Sequence, residues 1–126
     1  MFSVDEETFR KIVAEGIDNI PSHYAKYIKN LAFVVEDEPT EAQRRNNNLQ
    51  PWQTLLGLYE GIPLTRRNSN YNLVLPDKIT IFKGPSERNA SSLADLKSIV
   101  NKTIWHEVAH FYGLGHGRIH ELEQPK

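Results

Sequence analysis

Apolar residues near the start of the chain fall at Phe9, Ile12, Val13, Ile17 and Ile20, a three-and-four spacing that predicts an amphipathic helix. Ser3 and Glu6 stand ahead of it in the pattern of a capping box, and Pro21 ends the run. A shorter helical stretch carrying Tyr24, Tyr27 and Ile28 follows, and Leu31 to Val35 has the length and β-branched content of a strand. From Glu36 to Thr54 the chain turns polar, with Pro39, Asn46-Asn47-Asn48 and Pro51. That length predicts either a functional or a mobile loop, with room for a short helix. Two further strands are predicted, Leu55 to Tyr59 and Lys78 to Lys83, the second bounded by Pro76-Asp77 and Gly84-Pro85. The last element starts near Ser91 or Ser92, either suited to be an N-cap. It runs without Gly or Pro to Gly113, where a left-handed C-terminal cap is expected.

No internal repeat interrupts this order, and 126 residues suit one domain spanning 1–126 with one modest core. The pattern predicts an α/β or α+β architecture. A small mixed sheet of about three to four strands would pack with the N-terminal helix and the long last helix.

Composition narrows the chemistry. The formal charge is −1 and the basic residues are scattered apart from Arg44-Arg45 and Arg66-Arg67, so no footprint for nucleic acid is present. The chain has no cysteine, so disulfides and thiolate metal sites are excluded and any transition metal must be held by histidine and carboxylate. The opening residues lack a signal-peptide pattern, and no apolar run approaches the roughly 20 residues that span a bilayer. The expectation is a soluble cytoplasmic protein, monomeric by default, with no nucleic-acid or membrane partner.

On a wheel of about 100° per residue, Leu93, Val100, Ile104 and Phe111 of the last helix form one stripe, and His106 and His110 sit together at its margin. Two imidazoles four residues apart project from one face and can share a zinc ion at about 2.0–2.1 Å each. Glu107 falls on the buried side, where a carboxylate without a polar partner is costly, and a water polarised by the metal is such a partner. In the H-E-x-x-H arrangement that glutamate is the general base of peptide hydrolysis. A catalytic zinc takes three protein ligands and keeps one position open, so a third ligand is needed, and His116 is the candidate. Gly113 permits the backbone turn that would bring it back. Residues 106 to 116 thus read H-E-x-x-H-x-x-G-x-x-H. Shuffling this composition would produce the short motif in roughly one chain in fifty and the full one on the order of once in tens of thousands, so the longer spacing carries the reading.

The only methionine is Met1, so no Met-turn can follow the site and a metzincin in the full sense is excluded. The short tail also excludes a glutamate ligand on a distant downstream helix, although Glu121 and Glu123 remain nearby. His120 is either a fourth ligand closing the site or an exposed tail histidine, and His23 reads as a surface residue. Trp105 and Tyr112 read as packing residues, with a phenol donor to an oxyanion as the alternative for Tyr112.

Leu55-Leu56-Gly57-Leu58-Tyr59-Glu60-Gly61-Ile62-Pro63-Leu64, then Leu75-Pro76-Asp77-Lys78-Ile79-Thr80-Ile81-Phe82, then the histidine motif, resemble in that order the minimal zincin-like metallopeptidase family of bacteria. The resemblance covers about Phe9 to His120. It implies a compact zincin-like fold, peptidase activity, zinc ligation by His106 and His110, and catalysis by Glu107. At position 116 the family more often carries an acidic residue, so the third ligand stays open between His116 and a nearby carboxylate.

The expected function is a zinc-dependent metallopeptidase acting on a peptide or protein substrate. The substrate would lie as an added strand along a sheet edge supplied by either the Leu55 or the Lys78 strand. The alternatives are a zinc-stabilised binding domain without turnover and a metal-free partner-binding domain.

Overall fold

A computed structural model describes residues 2–25, 28, 31–61 and 77–113. Along them run α1 (Glu6–Asp18), α2 (Ser22–Ala25), β1 (Ala32–Glu36), α3 (Glu41–Asn46), β2 (Gly57–Glu60), β3 (Lys78–Phe82), α4 (Lys83–Asn89) and α5 (Leu93–Phe111). The result is a small α+β fold with a three-stranded mixed sheet, an N-terminal helix and a long C-terminal helix.

α1 forms where the three-and-four spacing predicts it, burying Phe9, Ile12 and Val13, but its cap differs. Asp5 is the N-cap and accepts a 2.8 Å hydrogen bond from the Thr8 amide, so Ser3 and Glu6 form no capping box. The reason lies next door: the Val4 amide donates to Glu87 Oε2 at 2.7 Å, which ties the segment before the helix to α4. A carboxylate at Asp5 then meets the first-turn amides as a charge-assisted acceptor.

The sheet order is β1-β3-β2. β1 runs parallel to β3, from Ala32 opposite Lys78 to Glu36 opposite Phe82, and β2 runs antiparallel to it, from Gly57 opposite Ile81 to Glu60 opposite Lys78. β3 is therefore the central strand, and Ile79, Thr80, Ile81 and Phe82 are all fully buried. A continuous β-branched and aromatic run suits a strand covered on both faces. This corrects one expectation, because a strand paired on both sides cannot receive an added peptide: the Lys78 strand is not an edge, whereas among the described residues β2 is.

β3 also ends earlier than expected. Gly84-Pro85 reads as a turn, yet α4 begins at Lys83. Proline in the first helical turn sacrifices no intrahelical hydrogen bond, so the same residues can open a helix as readily as stop a strand. Ser86 Oγ donates to the Phe82 carbonyl at 2.7 Å and ties the helix to the strand that feeds it.

α5 starts at the Ser92 N-cap, whose hydroxyl accepts from the Asp95 amide. Its core stripe is Leu96, Val100, Ile104, Val108 and Phe111, which packs with Phe9, Ile12 and Val13 of α1 and Ile79 and Ile81 of β3. Leu93 does not belong to the stripe: in the first turn of the helix, it is 44% exposed. The polar stretch after β1 contains the short α3, with a capping box between Thr40 and Gln43. Gln43 Nε2 donates to Glu60 Oε1 at 3.2 Å and Arg88 grips Glu38 at 2.7 and 2.9 Å, so the stretch is anchored to both β2 and α4. Among the described residues, no helix is long and apolar enough to cross a membrane.

Candidate metal centre

One turn of helix separates His106 from His110, and their rings lie 4.6 Å apart at 69°. Both are half-buried, at the margin of the stripe where the wheel places them. Glu107 is only 7% exposed and faces the sheet. Its Oε1 accepts a 3.0 Å hydrogen bond from the backbone amide of Tyr59 on β2 and lies 3.2 Å from His110 Nδ1. The buried carboxylate thus has the polar partner its burial demands, but the partner is a strand amide, which sequence reasoning missed.

Two features put that amide in reach. Gly57 has no side chain where β2 crosses α5: a Cβ there would lie 2.6 Å from Thr103 Cγ2, 3.2 Å from the Thr80 carbonyl and 3.3 Å from Glu107 Cγ. Glycine inside a strand run is a sign of close backbone approach, and that signal was present in the sequence. Tyr59 is further held at its far end, where the hydroxyl donates to Asp77 Oδ2 at 3.0 Å and the ring packs edge-on to Phe111 at 5.9 Å.

The electrostatics follow from this contact. The hydrogen bond to Glu107 raises the His110 pKa above the ordinary imidazole value; burial opposes the rise, and the glutamate charge adds to it. One candidate ligand atom from each of His106, Glu107 and His110 lies within 4.8 Å of the others. Donors about 2.0–2.1 Å from one tetrahedral ion stand about 3.3–3.5 Å apart, so modest rotation of the two imidazoles brings them into range. Two imidazoles with no sulfur suit zinc or another borderline divalent ion, and the carboxylate held on the Tyr59 amide stays beside them.

α5 ends at Tyr112, and Gly113 has φ 78° with its amide on the His110 carbonyl, the left-handed cap expected there. His116, His120, Glu121 and Glu123 lie outside the described residues, as do Tyr27 and the side chain of His23. The Tyr112 hydroxyl donates to the Tyr24 carbonyl, and the Tyr24 ring meets Trp105 at 5.0 Å and Tyr112 at 5.1 Å, both edge-on. These residues dock α2 against α5 by packing, and the phenol is engaged with backbone on that side.

A cavity of about 360 Å³ opens beside the site, between the Thr54–Gly57 segment and the turn of α5 from Lys102 to Glu107.

Comparison with known proteins adds three findings. No curated protein matches the chain. A solved structure of a conserved hypothetical protein from Thermo thermophilus superposes with a TM-score of 0.59 at 20% identity, over 90% of this chain and 99% of that one, a likeness of fold. Residues 28–125 match the family model described as zincin-like metallopeptidase, a span that holds the whole sheet, Gly57, Tyr59 and the histidine motif. With most of its length matched and a His-Glu-His group at the heart of the match, the chain belongs to the zincin-like metallopeptidase family.

Proposed function

We propose that the protein is a zinc-dependent peptidase in which His106 and His110 hold the metal, His116 is the third ligand and Glu107 is the general base. The observation that carries this reading is the placement of Glu107: a buried carboxylate beside two half-buried imidazoles, fixed by a backbone amide of β2. His110 would coordinate through Nε2, because Nδ1 is engaged with Glu107. Zinc, when bound, supplies Lewis acidity to the scissile carbonyl and lowers the pKa of water toward neutrality.

The chain's own residues do the rest. A peptide would lie extended along β2, an edge strand among the described residues, held by backbone groups other than the Tyr59 amide, which Glu107 occupies. Tyr59 N–H holds Glu107 Oε1, while Oε2 has no hydrogen bond among the described residues and is the atom that handles the proton. It takes a proton from the attacking water as the new C–O bond forms. It then returns that proton to the amide nitrogen as the C–N bond breaks.

The test is Glu107→Gln. Glutamine keeps an oxygen acceptor for the Tyr59 amide, so the variant is expected to hold about one zinc per chain, by analogy with four-coordinate catalytic sites, and to lose at least about 100-fold in peptide hydrolysis. Elemental analysis beside a His110→Ala control reads the first outcome, and a quenched-fluorescence peptide library the second. A Glu107→Gln protein that cleaves as fast as wild type overturns the mechanism. Zinc bound with no turnover in the wild type favours a zinc-stabilised binding domain instead.

A further inference from the structure

The cavity beside Glu107 has a largely apolar wall, with Lys102 and with His106 and Glu107 of the candidate centre also lining it. Leu55 and Leu56 supply apolar surface on the strand side, and Gly57 leaves bare backbone. On the helix side Thr103 donates its hydroxyl to the Ile99 carbonyl at 2.8 Å, which turns its Cγ2 methyl toward β2. Lys102 also lines the cavity, but it is exposed and makes no ion pair among the described residues. The lining carboxylate, Glu107, has Oε1 committed to the Tyr59 amide.

We infer that this cavity is a specificity pocket for an acidic side chain, glutamate before aspartate, on a peptide lying along β2, with Lys102 as the residue that reads its charge. The inference rests on the peptidase reading for the direction in which the peptide lies. About 360 Å³ accommodates a side chain together with its adjoining backbone. The methylenes of a glutamate pack on the leucine and threonine methyl surface and on the aliphatic stem of Lys102, which covers apolar groups while its ammonium stays in water. The carboxylate then meets that ammonium at the mouth, where it remains partly solvated. A basic side chain meets like charge, and a purely apolar one gains nothing from the Lys102 ammonium. Charge complementarity at such a rim sets selection more than total affinity.

The experiment separates binding from turnover. Zinc-loaded Glu107→Gln protein is titrated with fluorescent peptides carrying Glu, Gln, Leu or Lys at each position in turn, with binding read by anisotropy at low and high salt. At one position the Glu peptide is expected to bind roughly two- to fivefold more tightly than its Gln counterpart, with the difference shrinking as salt screens it. Adding Lys102→Glu, at an exposed helix position, should invert the preference toward Lys. Adding Lys102→Met should abolish the Glu preference and leave the Leu peptide unaffected. A Glu preference that Lys102→Glu does not move overturns the proposal, and so does the absence of any Glu preference. Wild-type hydrolysis of the same peptides is measured alongside. Cleavage indifferent to Glu removes the pocket and leaves the peptidase. Lys102-dependent binding with no wild-type cleavage keeps the pocket and removes the peptidase.

Discussion

A strand glycine sets how the general-base candidate is held. With Gly57 in place, β2 comes close enough to α5 for the Tyr59 amide to reach Glu107. In Gly57→Ala the new methyl meets Thr103 Cγ2, which cannot swing away while its hydroxyl is bonded to the Ile99 carbonyl. The expected loss is about 1–3 kcal/mol of stability from overpacking, with hydrolysis falling further than zinc content. Urea unfolding, elemental analysis and a peptide assay read the three quantities. Thr103→Ser removes the opposing methyl and should restore part of the activity; a double variant no better than Gly57→Ala would show that the contact is irrelevant. His106, Glu107 and His110 were legible because their chemistry resides in side chains at a helical spacing. The Tyr59 amide was not, since a backbone donor carries no residue identity and only the neighbouring glycine hinted at it.

Elements were legible where periodicity was long and ambiguous where one residue type serves two purposes. α5 was read from its uninterrupted run, yet the wheel could not say where along the helix burial begins, so Leu93 was counted into a stripe that begins at Leu96. The two positions should differ sharply on truncation. Leu96→Ala is expected to cost about 2–5 kcal/mol as a buried cavity, and Leu93→Ala less than about 0.5 kcal/mol, both read as shifts in urea midpoint. Equal losses would contradict this packing. α4 was missed because Gly84-Pro85 marks a stop in a strand and is tolerated at a helix start. The cap of α1 was misplaced for a tertiary reason: Glu87, far along the chain, holds the Val4 amide and leaves capping to Asp5.

Across the whole molecule, acid and metal act on the same stability. Hydrogen bonds from Arg88 hold the Glu38 carboxyl below its ordinary pKa, and hydrogen bonds from Thr8 do the same for Asp5. A carboxyl lowered in the folded state contributes stability above its unfolded pKa and loses it as pH falls through the folded value. Stability should therefore decline through and below the ordinary carboxylate range, and Glu38→Gln should flatten that decline. Because the Glu38–Arg88 pair is half-exposed, the effect is discounted for solvent to about 1 kcal/mol or less, measured by urea unfolding across the acid range. On the proposed zinc site, chelation should lower the thermal midpoint of the wild type, and His110→Ala should show no such drop. One consequence concerns the order of assembly. Ala32 pairs with Lys78, 46 positions later (78 − 32), so β1 cannot zip onto β3 until that long intervening span has closed. Such non-local pairing is slow, whereas a helical turn bearing two imidazoles is a local unit that forms fast. The amide that steadies Glu107 also comes from 48 positions away, so on the proposed reading the helical turn with its two imidazoles is expected to form, and to be able to capture a cation, before the site is able to cut.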